Sequence, residues 1–487
     1  MSALNFQWAY LWPETIFFGA VVLLFMASVI QKRDPGLAKF LSRFAPIVGS
    51  LAAAGFAALT MTKAPQSLFF DAYRVDGLSQ FFKLLISGGY LVACLNAWAP
   101  SDLAEPKRAD YFLFLTLSAW GLILLASAAE LVTVYLALEL ASYSLYVIIP
   151  ARSKSKEAAE AGLKYILFGA AATALALYGL SWIIASQHTT YIHELTQANW
   201  SLANPLATLG LCLFLGGLFF KLALFPFHFW CPDVYQGASN ETAAIVATLP
   251  KMGAVIILIR LTVLLSPGDI LTDFLAILAA ISITYGNLAA LAQKDLKRML
   301  GFSSVAHAGY ILVGLVSKTP TGLAAAAFYA MAYLLMNLLV FWVISRVSND
   351  GRNLTYNSLN GLAKRSPLLA MALAVGAFSL VGLPPTVGFI GKLWLLTSAW
   401  GVGYDWLVIV VCVNTAIAIF YYLSLVLHAY TEEPAEGSGQ DLAMSQTNAS
   451  LFSQLGALAL GLLVVGLGVL PGGVFGAILT ASRQILP

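Results

Sequence analysis

Polar residues are scarce along this chain and gather in short clusters. Between the clusters lie apolar runs of about twenty residues, the length that crosses a bilayer's hydrocarbon as a helix. The runs fall at roughly 13–30, 44–62, 78–98, 110–128, 131–149, 160–185, 206–229, 241–265, 270–292, 300–317, 321–345, 366–399, 405–428 and 451–481. This pattern predicts an all-α polytopic membrane protein with about fourteen transmembrane helices. The runs are unbroken rather than alternating, so a strand-built barrel is excluded. Several exceed the crossing length, and tilt or breaks are expected there.

Proline interrupts some of the runs. FFKLALFPFHFW carries Pro226, and LVGLPPTVGFIGKLWLL carries Pro384 and Pro385. Pro250, in ATLPKMGAVIIL, is expected to loosen a third run. Proline removes a backbone donor and clashes with the preceding turn. In a membrane such backbone is tolerated only where protein or water covers it. If runs four to eight and nine to thirteen are grouped, the broken run is fourth in each group. Each group has an odd number of crossings, so the two have opposite orientation. Paired interruptions in inverted halves point to an ion-handling site near the midplane. The expected division is 1–109 for three N-terminal helices, 110–265 and 266–430 for the two bundles, 431–450 for an acidic connector, and 451–487 for the last helix.

Charge then orients the chain. Sixteen loop Lys and Arg residues, from Lys32 to Arg365, follow odd-numbered runs. Lys63, Arg74, Lys318 and Arg483 lie on the other side. Cytoplasmic loops carry the excess of Lys and Arg. Both termini are therefore expected on the periplasmic side of the inner (plasma) membrane, with the acidic connector in the cytoplasm. No Lys or Arg precedes the first apolar run, so no cleavable leader is expected. The net charge of +3 forms no basic stripe, which argues against nucleic acid. The cysteines are far apart, no CxxC occurs, and the histidines are scattered. No metal, iron–sulfur or nucleotide site is expected in this chain.

The chemistry lies in the exceptions. Lys164, Lys221, Lys251, Lys392 and Glu139 sit inside apolar runs of a chain that is 60% hydrophobic and 10% charged. A central lysine costs about 2.5–3.5 kcal/mol on insertion scales, so four facing lipid would cost roughly 10–14 kcal/mol. They must face other helices or water, and such residues read first as a proton or ion path. Desolvation favours a neutral amine and a nearby carboxylate favours the charged one. Moving Glu139 relative to Lys221 would load or release a proton, which arginine could not do. Structural pairing is the plainer alternative. His307, in GFSSVAHAGYIL, is placed to relay between Lys251 and Lys392, although a satisfied core histidine is nearly as good a reading. Lys164 lies one turn inside its run, where snorkelling explains it almost as well. Lys83 and Arg260 are assigned to snorkelling, and His188 and His193 to surface. His228 and His428, near run ends, are weaker candidates.

The segments LALELASYSLYVI, EAGLKYILFGAAATALALYG, FFKLALFPFHFWCPDVYQGA and GLPPTVGFIGKLWLL carry a resemblance. They resemble the antiporter-like membrane subunits of respiratory complex I, which are related to Mrp-type cation/proton antiporters. The resemblance covers nearly the whole chain. It implies fourteen helices, two inverted five-helix bundles, broken helices seven and twelve, and a polar axis across the membrane plane. It implies that Glu139, Lys164, Lys221, Lys251 and Lys392 line that axis. Lysine at 392, where the M branch carries glutamate, resembles the N branch. The lateral helix of the L branch is not expected. FMN, iron–sulfur clusters and quinone are implied in partner subunits and no cofactor in this chain. The implied partners are neighbouring antiporter-like and small membrane subunits. One departure is SNETAAIVATLPK, where much of the family is rich in proline and threonine. Asn240 and Glu241 there suit a helix cap. Two other readings stay open: a subunit of a Mrp-type sodium/proton antiporter, and a non-pumping structural subunit.

Overall fold

A computed structural model of the chain describes residues 9–98, 108–152, 155–198, 200, 204–264, 269–348, 351–432 and 450–485. Glu433, Glu436 and Asp441 of the acidic connector, like Lys107 and Lys154, lie outside the described residues.

The described chain is helical, with one short hairpin. The first helices are α1 (Trp12–Ile30), α2 (Pro35–Thr60), α3 (Gly77–Asn96), α4 (Arg108–Ser127), α5 (Leu131–Ile148) and α6 (Lys156–Gln187). Next come α7 (Pro205–Leu222), α8 (Trp230–Gly237), α9 (Asn240–Leu261), α10 (Ile270–Leu291), α11 (Leu296–Val316) and α12 (Pro320–Val347). The last are α13 (Leu362–Arg365), α14 (Pro367–Val381), α15 (Val387–Ala399), α16 (Asp405–Tyr430), α17 (Leu451–Val469) and α18 (Gly472–Ser482). Among the described residues, thirteen helices are long and apolar enough to span a membrane. Strands β1 (Gln66–Leu68) and β2 (Tyr73–Val75) pair antiparallel between α2 and α3.

Two faces of the bundle are distinguishable. Near the terminal face, where α1 starts and α18 ends, Gly77 packs on Ala481 and Arg74 donates to the Gln484 carbonyl. The opposite, basic face is tied by Lys297 donating to the Ala238 carbonyl and Arg152 to Asn353. The helices α9, α11 and α12 are buried in the middle of the bundle, apart from a few residues, mostly near the ends of α11 and α12. Their all-round apolar surfaces require this placement.

Two hairpins repeat one geometry. Gly121 of α4 lies where a Cβ would meet the Ala141 nitrogen of α5 at 2.7 Å, and Gly286 of α10 lies likewise 2.6 Å from the Ala306 nitrogen of α11. Only glycine lets two backbones approach so closely. Glu130 caps α5 by accepting from Thr133 N, and Asp295 caps α11 by accepting from Arg298 N. Each cap is followed by the same return contact, Leu131 N to Thr190 O and Leu296 N to Leu354 O, both at 2.9 Å.

The two breaks also match. Helix α7 ends at Leu222, and Ala223 turns left-handed at φ 61°. Helix α14 ends at Val381, and Gly382 turns left-handed at φ 90°. Leu224 N then bonds Phe219 O at 3.0 Å, and Leu383 N bonds Phe378 O at 2.9 Å. This is a helix stop in which the chain's next amides satisfy the last carbonyls. A cis proline follows in both, Phe225–Pro226 and Pro384–Pro385.

Three local expectations are corrected. Helix α9 runs unbroken through Pro250. The Tyr333 hydroxyl donates to the Ala247 carbonyl at 3.0 Å, beside the turn that the proline disturbs. Helix α2 begins at Pro35 rather than near 44, because Asp34 caps it by accepting from Leu37 N. The last span is interrupted between α17 and α18, at Leu470 and Pro471.

Candidate functional site

Four buried charges that the sequence singled out, Glu139, Lys221, Lys251 and Lys392, fall into two groups, one reaching each break. Lys221 occupies the last turn of α7, where the free carbonyl ends of a helix favour a cation. Its ammonium is buried with no hydrogen-bond partner among the described residues. It lies 4.9 Å from the Phe220 ring centroid, 5.9 Å from that of Tyr165 and 6.0 Å from that of Tyr146. Such rings stabilise a desolvated cation by about 2 kcal/mol. Glu139 of α5 is also buried; its Oε1 accepts from Thr173 Oγ1 at 2.7 Å and its Oε2 has no hydrogen-bond partner within bonding distance among the described residues. No ion pair joins Glu139 to Lys221. Tyr146, two turns along α5 from Glu139, is the ring 6.0 Å from the Lys221 ammonium, and its buried hydroxyl has no hydrogen-bond partner among the described residues.

The second group is wired. Lys251 of α9 donates to Ser304 Oγ and, at 3.2 Å, to the Ser304 carbonyl. Ser304 Oγ also meets Tyr333 OH at 2.7 Å and Tyr235 OH at 3.0 Å. His307, one turn along α11, bonds Tyr329 OH at 2.8 Å through Nδ1 and Tyr422 OH at 3.1 Å through Nε2. One turn further, the Tyr310 ring lies 4.6 Å from Lys392 Nζ. Ser304, His307 and Tyr310 therefore share one face of α11. Lys392 of α15 donates to Val381 O at 2.7 Å and Leu380 O at 3.3 Å. These are carbonyls at the end of α14, beside the break.

Lys164 is set apart. Its side chain is 35% exposed and pairs with Glu160 at 2.7 Å and Asp233 at 2.6 Å. Asp233 of α8 is also the partner of Arg298 of α11. This carboxylate holds one cation from each hairpin region at the basic face. Glu241 lies in the first turn of α9, which Ser239 caps by accepting from Thr242 N.

The snorkelling assignments are corrected. Lys83 is fully buried and paired with Glu14 of α1 at 2.5 Å. Arg260 is buried against Asp76, with bonds of 3.0 and 3.1 Å. Burial would raise the Asp76 carboxyl, but the Arg260 guanidinium more than reverses this and holds it below the ordinary carboxylate range. His228 is buried inside the first break among Phe225, Phe229 and Tyr285. His428 bonds the Ser424 carbonyl. His193 is 60% exposed, as expected of a surface residue.

Sequence reading missed Glu14, Asp233, Ser304 and the tyrosines at 146, 329, 333 and 422. A charged residue so close to a run's start reads as interfacial, and PDVYQGA contains Asp233 without marking it. The hydroxyls carry no signal, since Ser and Tyr are common in membrane helices. Among the described residues, no group of three or more His, Cys, Asp or Glu side chains is placed to hold a metal.

Helices broken at matched depth, each with a buried lysine beside the break, define the class of antiporter-like membrane subunits. The family described as NADH:quinone oxidoreductase/Mrp antiporter, TM, matches residues 128–418. "NADH-quinone oxidoreductase subunit N 2" of Solidesulfovibrio magneticus is 53% identical over 98% of both chains. A chain of respiratory complex I from Thermus thermophilus is 33% identical, covers 94% of this chain and 99% of its own, and superposes with a TM-score of 0.80. A chain of the Mrp complex from Dietzia sp. shares the fold at a TM-score of 0.81, with 21% identity and 97% of both chains covered. The chain belongs to this family and, within it, to the subunit N group of NADH-quinone oxidoreductase. It is a multi-pass membrane subunit of that complex.

Proposed function

We propose that this subunit moves protons through Glu139, Lys221, Lys251, His307 and Lys392, driven by quinone reduction in other subunits of the complex. The observation that carries this reading is the α11 face on which Ser304, His307 and Tyr310 run from Lys251 to Lys392. Hydroxyl and imidazole groups both donate and accept, and since no direct hydrogen bond joins these three to one another among the described residues, water between them would complete the relay. Tyr146 plays the same part between Glu139 and Lys221. A charge change at one end shifts the Glu139–Lys221 pair, then Lys251, then Lys392. A two-state pair biased by both neighbours is the minimum device. Lys164, held by Asp233, stands at the basic face, where protons would be taken up.

The matched caps and breaks support two inverted bundles at 110–265 and 266–430, after an N-terminal unit of 1–109 and before the connector 431–450 and last helix 451–487. The excess of Lys and Arg supports a cytoplasmic basic face, with both termini on the periplasmic side of the inner (plasma) membrane. FMN, iron–sulfur clusters and quinone belong to partner subunits, and the neighbours are other antiporter-like and small membrane subunits.

The test is Lys221→Ala in the assembled complex in sealed vesicles, reading protons moved per quinone reduced. Pumping is expected to be lost or severely lowered while the complex still assembles. Full coupled pumping would remove Lys221 from the mechanism. Lost assembly with normal stoichiometry in the remaining complex would favour a structural role.

A further inference from the structure

One face of α3 is polar from the terminal face inward, and the line above does not use it. Gln80, Lys83, Ser87 and Tyr90 follow each other at spacings of three and four, which stacks them on one side of the helix. Gln80, Lys83 and Ser87 are fully buried. Both amide atoms of Gln80 and the Ser87 hydroxyl have no hydrogen-bond partner among the described residues. Glu14 faces this stripe from α1. Its Oε1 takes Lys83 Nζ and the Tyr73 hydroxyl, both at 2.5 Å, and its Oε2 has no hydrogen-bond partner among the described residues. The stripe closes at Tyr90, whose hydroxyl meets Thr116 Oγ1 at 2.5 Å.

Buried polar atoms without partners cost several kcal/mol each in an apolar medium. Four of them along one stripe point to water, which is satisfied by two to four such groups. A cavity lies beside the start of the stripe, at the α3 cap, although no stripe residue lines it. The α3 cap, Asp76, is bonded by Arg260, which lines a cavity of about 780 Å³ at the terminal face with Asp71, Arg74 and Lys318. The stripe does not reach the central line. Helix α9 stands between them, with Leu249 against Gly89 of α3 and Gly253 against Leu122 of α4, while its Lys251 turns to Ser304.

We propose that this face of α3 is a blind, water-filled path from the terminal face to Glu14 and Lys83, giving the subunit a second proton-exchange site outside the central line. Hydronium arriving along the path gives one proton to Glu14 Oε2 and leaves as water. The charged groups around the carboxylate are Lys83 from α3 and, beyond Tyr73 of β2, the paired Asp76 and Arg260. The closed end at Tyr90 keeps the path from leaking across the membrane.

The test uses the assembled complex in vesicles of each orientation, with Ser87→Cys, Gln80→Cys and a control, Ala126→Cys. Ala126 is buried near the terminal end of α4. The probe is 2-aminoethyl methanethiosulfonate, with modification read on this subunit's peptides by mass spectrometry and assembly checked by quinone reduction. Ser87→Cys is expected to react from the terminal face at least about tenfold faster than the shallower Ala126→Cys. Equal rates, or reaction only from the basic face, overturn the path. Ser→Cys is nearly isosteric, so this variant stands if Gln80→Cys does not assemble. The proton step is read separately, as a protonated-carboxyl infrared band that grows when the terminal face is acidified. Its absence in Glu14→Gln is expected, and identical spectra overturn the exchange site. Both readouts are independent of pumping, so they stand or fall apart from the central line.

Discussion

At the break between α7 and α8 the lysine comes before the interruption; at the break between α14 and α15 it comes after. Lys392 therefore reaches back and binds Val381 and Leu380, carbonyls beside the break. Lys221 has no such acceptor and rests among three rings. The Phe220 carbonyl near the first break is taken instead by the Trp230 indole, at 3.0 Å. One backbone device thus serves two ends. In the second half it holds an ammonium by direct bonds, and in the first it is closed by a neutral donor that leaves the ammonium unbound. The carboxylates differ in the same sense. Glu139 keeps an open oxygen in the first half, while the second half meets Lys251 with a serine already shared by two tyrosines.

The largest expected difference follows from swapping each lysine for methionine. Lys392→Met strands two buried carbonyls and should destabilise the subunit by about 2–3 kcal/mol, the range for bonds to a charged group. Lys221→Met removes a buried ammonium that makes no hydrogen bond among the described residues; relief of its desolvation offsets the lost ring contacts, so stability should be nearly unchanged. Thermal inactivation of the assembled complex checks both, and equal losses would break the comparison. Next is Ser304→Ala, which removes a direct partner of Lys251 and should cost about 1–3 kcal/mol together with most of the pumping. Tyr146→Phe should lower the pumping rate by about tenfold, less than losing a direct acid or base. Its thermal stability should not change, because that hydroxyl has no partner to lose. A stability loss there would show that Tyr146 is structural. The smallest effect belongs to Lys364→Ala, whose pair with Glu432 is more than 70% exposed on both sides. No measurable change in pumping or inactivation temperature is expected.

Much of this architecture could be read from residue order. Unbroken apolar runs reveal spans because lipid leaves the backbone no other choice. Pro226, Pro384 and Pro385 marked the two breaks for the same reason. Pro250 misled, because Tyr333 from another helix supports the disturbed turn. The burial of Lys221, Lys251 and Lys392 was legible from depth alone. Their partners were not, since Ser304 and Tyr146 come from distant parts of the chain and look ordinary in sequence. Lys83 and Arg260 failed for the opposite reason. Their depth suggested reach to water, and only the folded chain brings Glu14 and Asp76 against them. Asp233 became meaningful only once Lys164 and Arg298 converged on it.

The contact of Gly121 with α5, and of Gly286 with α11, has a mechanical consequence. Where main chains touch with no side chain between them, neither helix of the pair has slack to slide or roll on the other. Each hairpin then behaves as a stiff strut. Any displacement of the hairpins is pushed into the seams at Ala223–Phe229 and Gly382–Thr386, which adjoin Lys221 and Lys392.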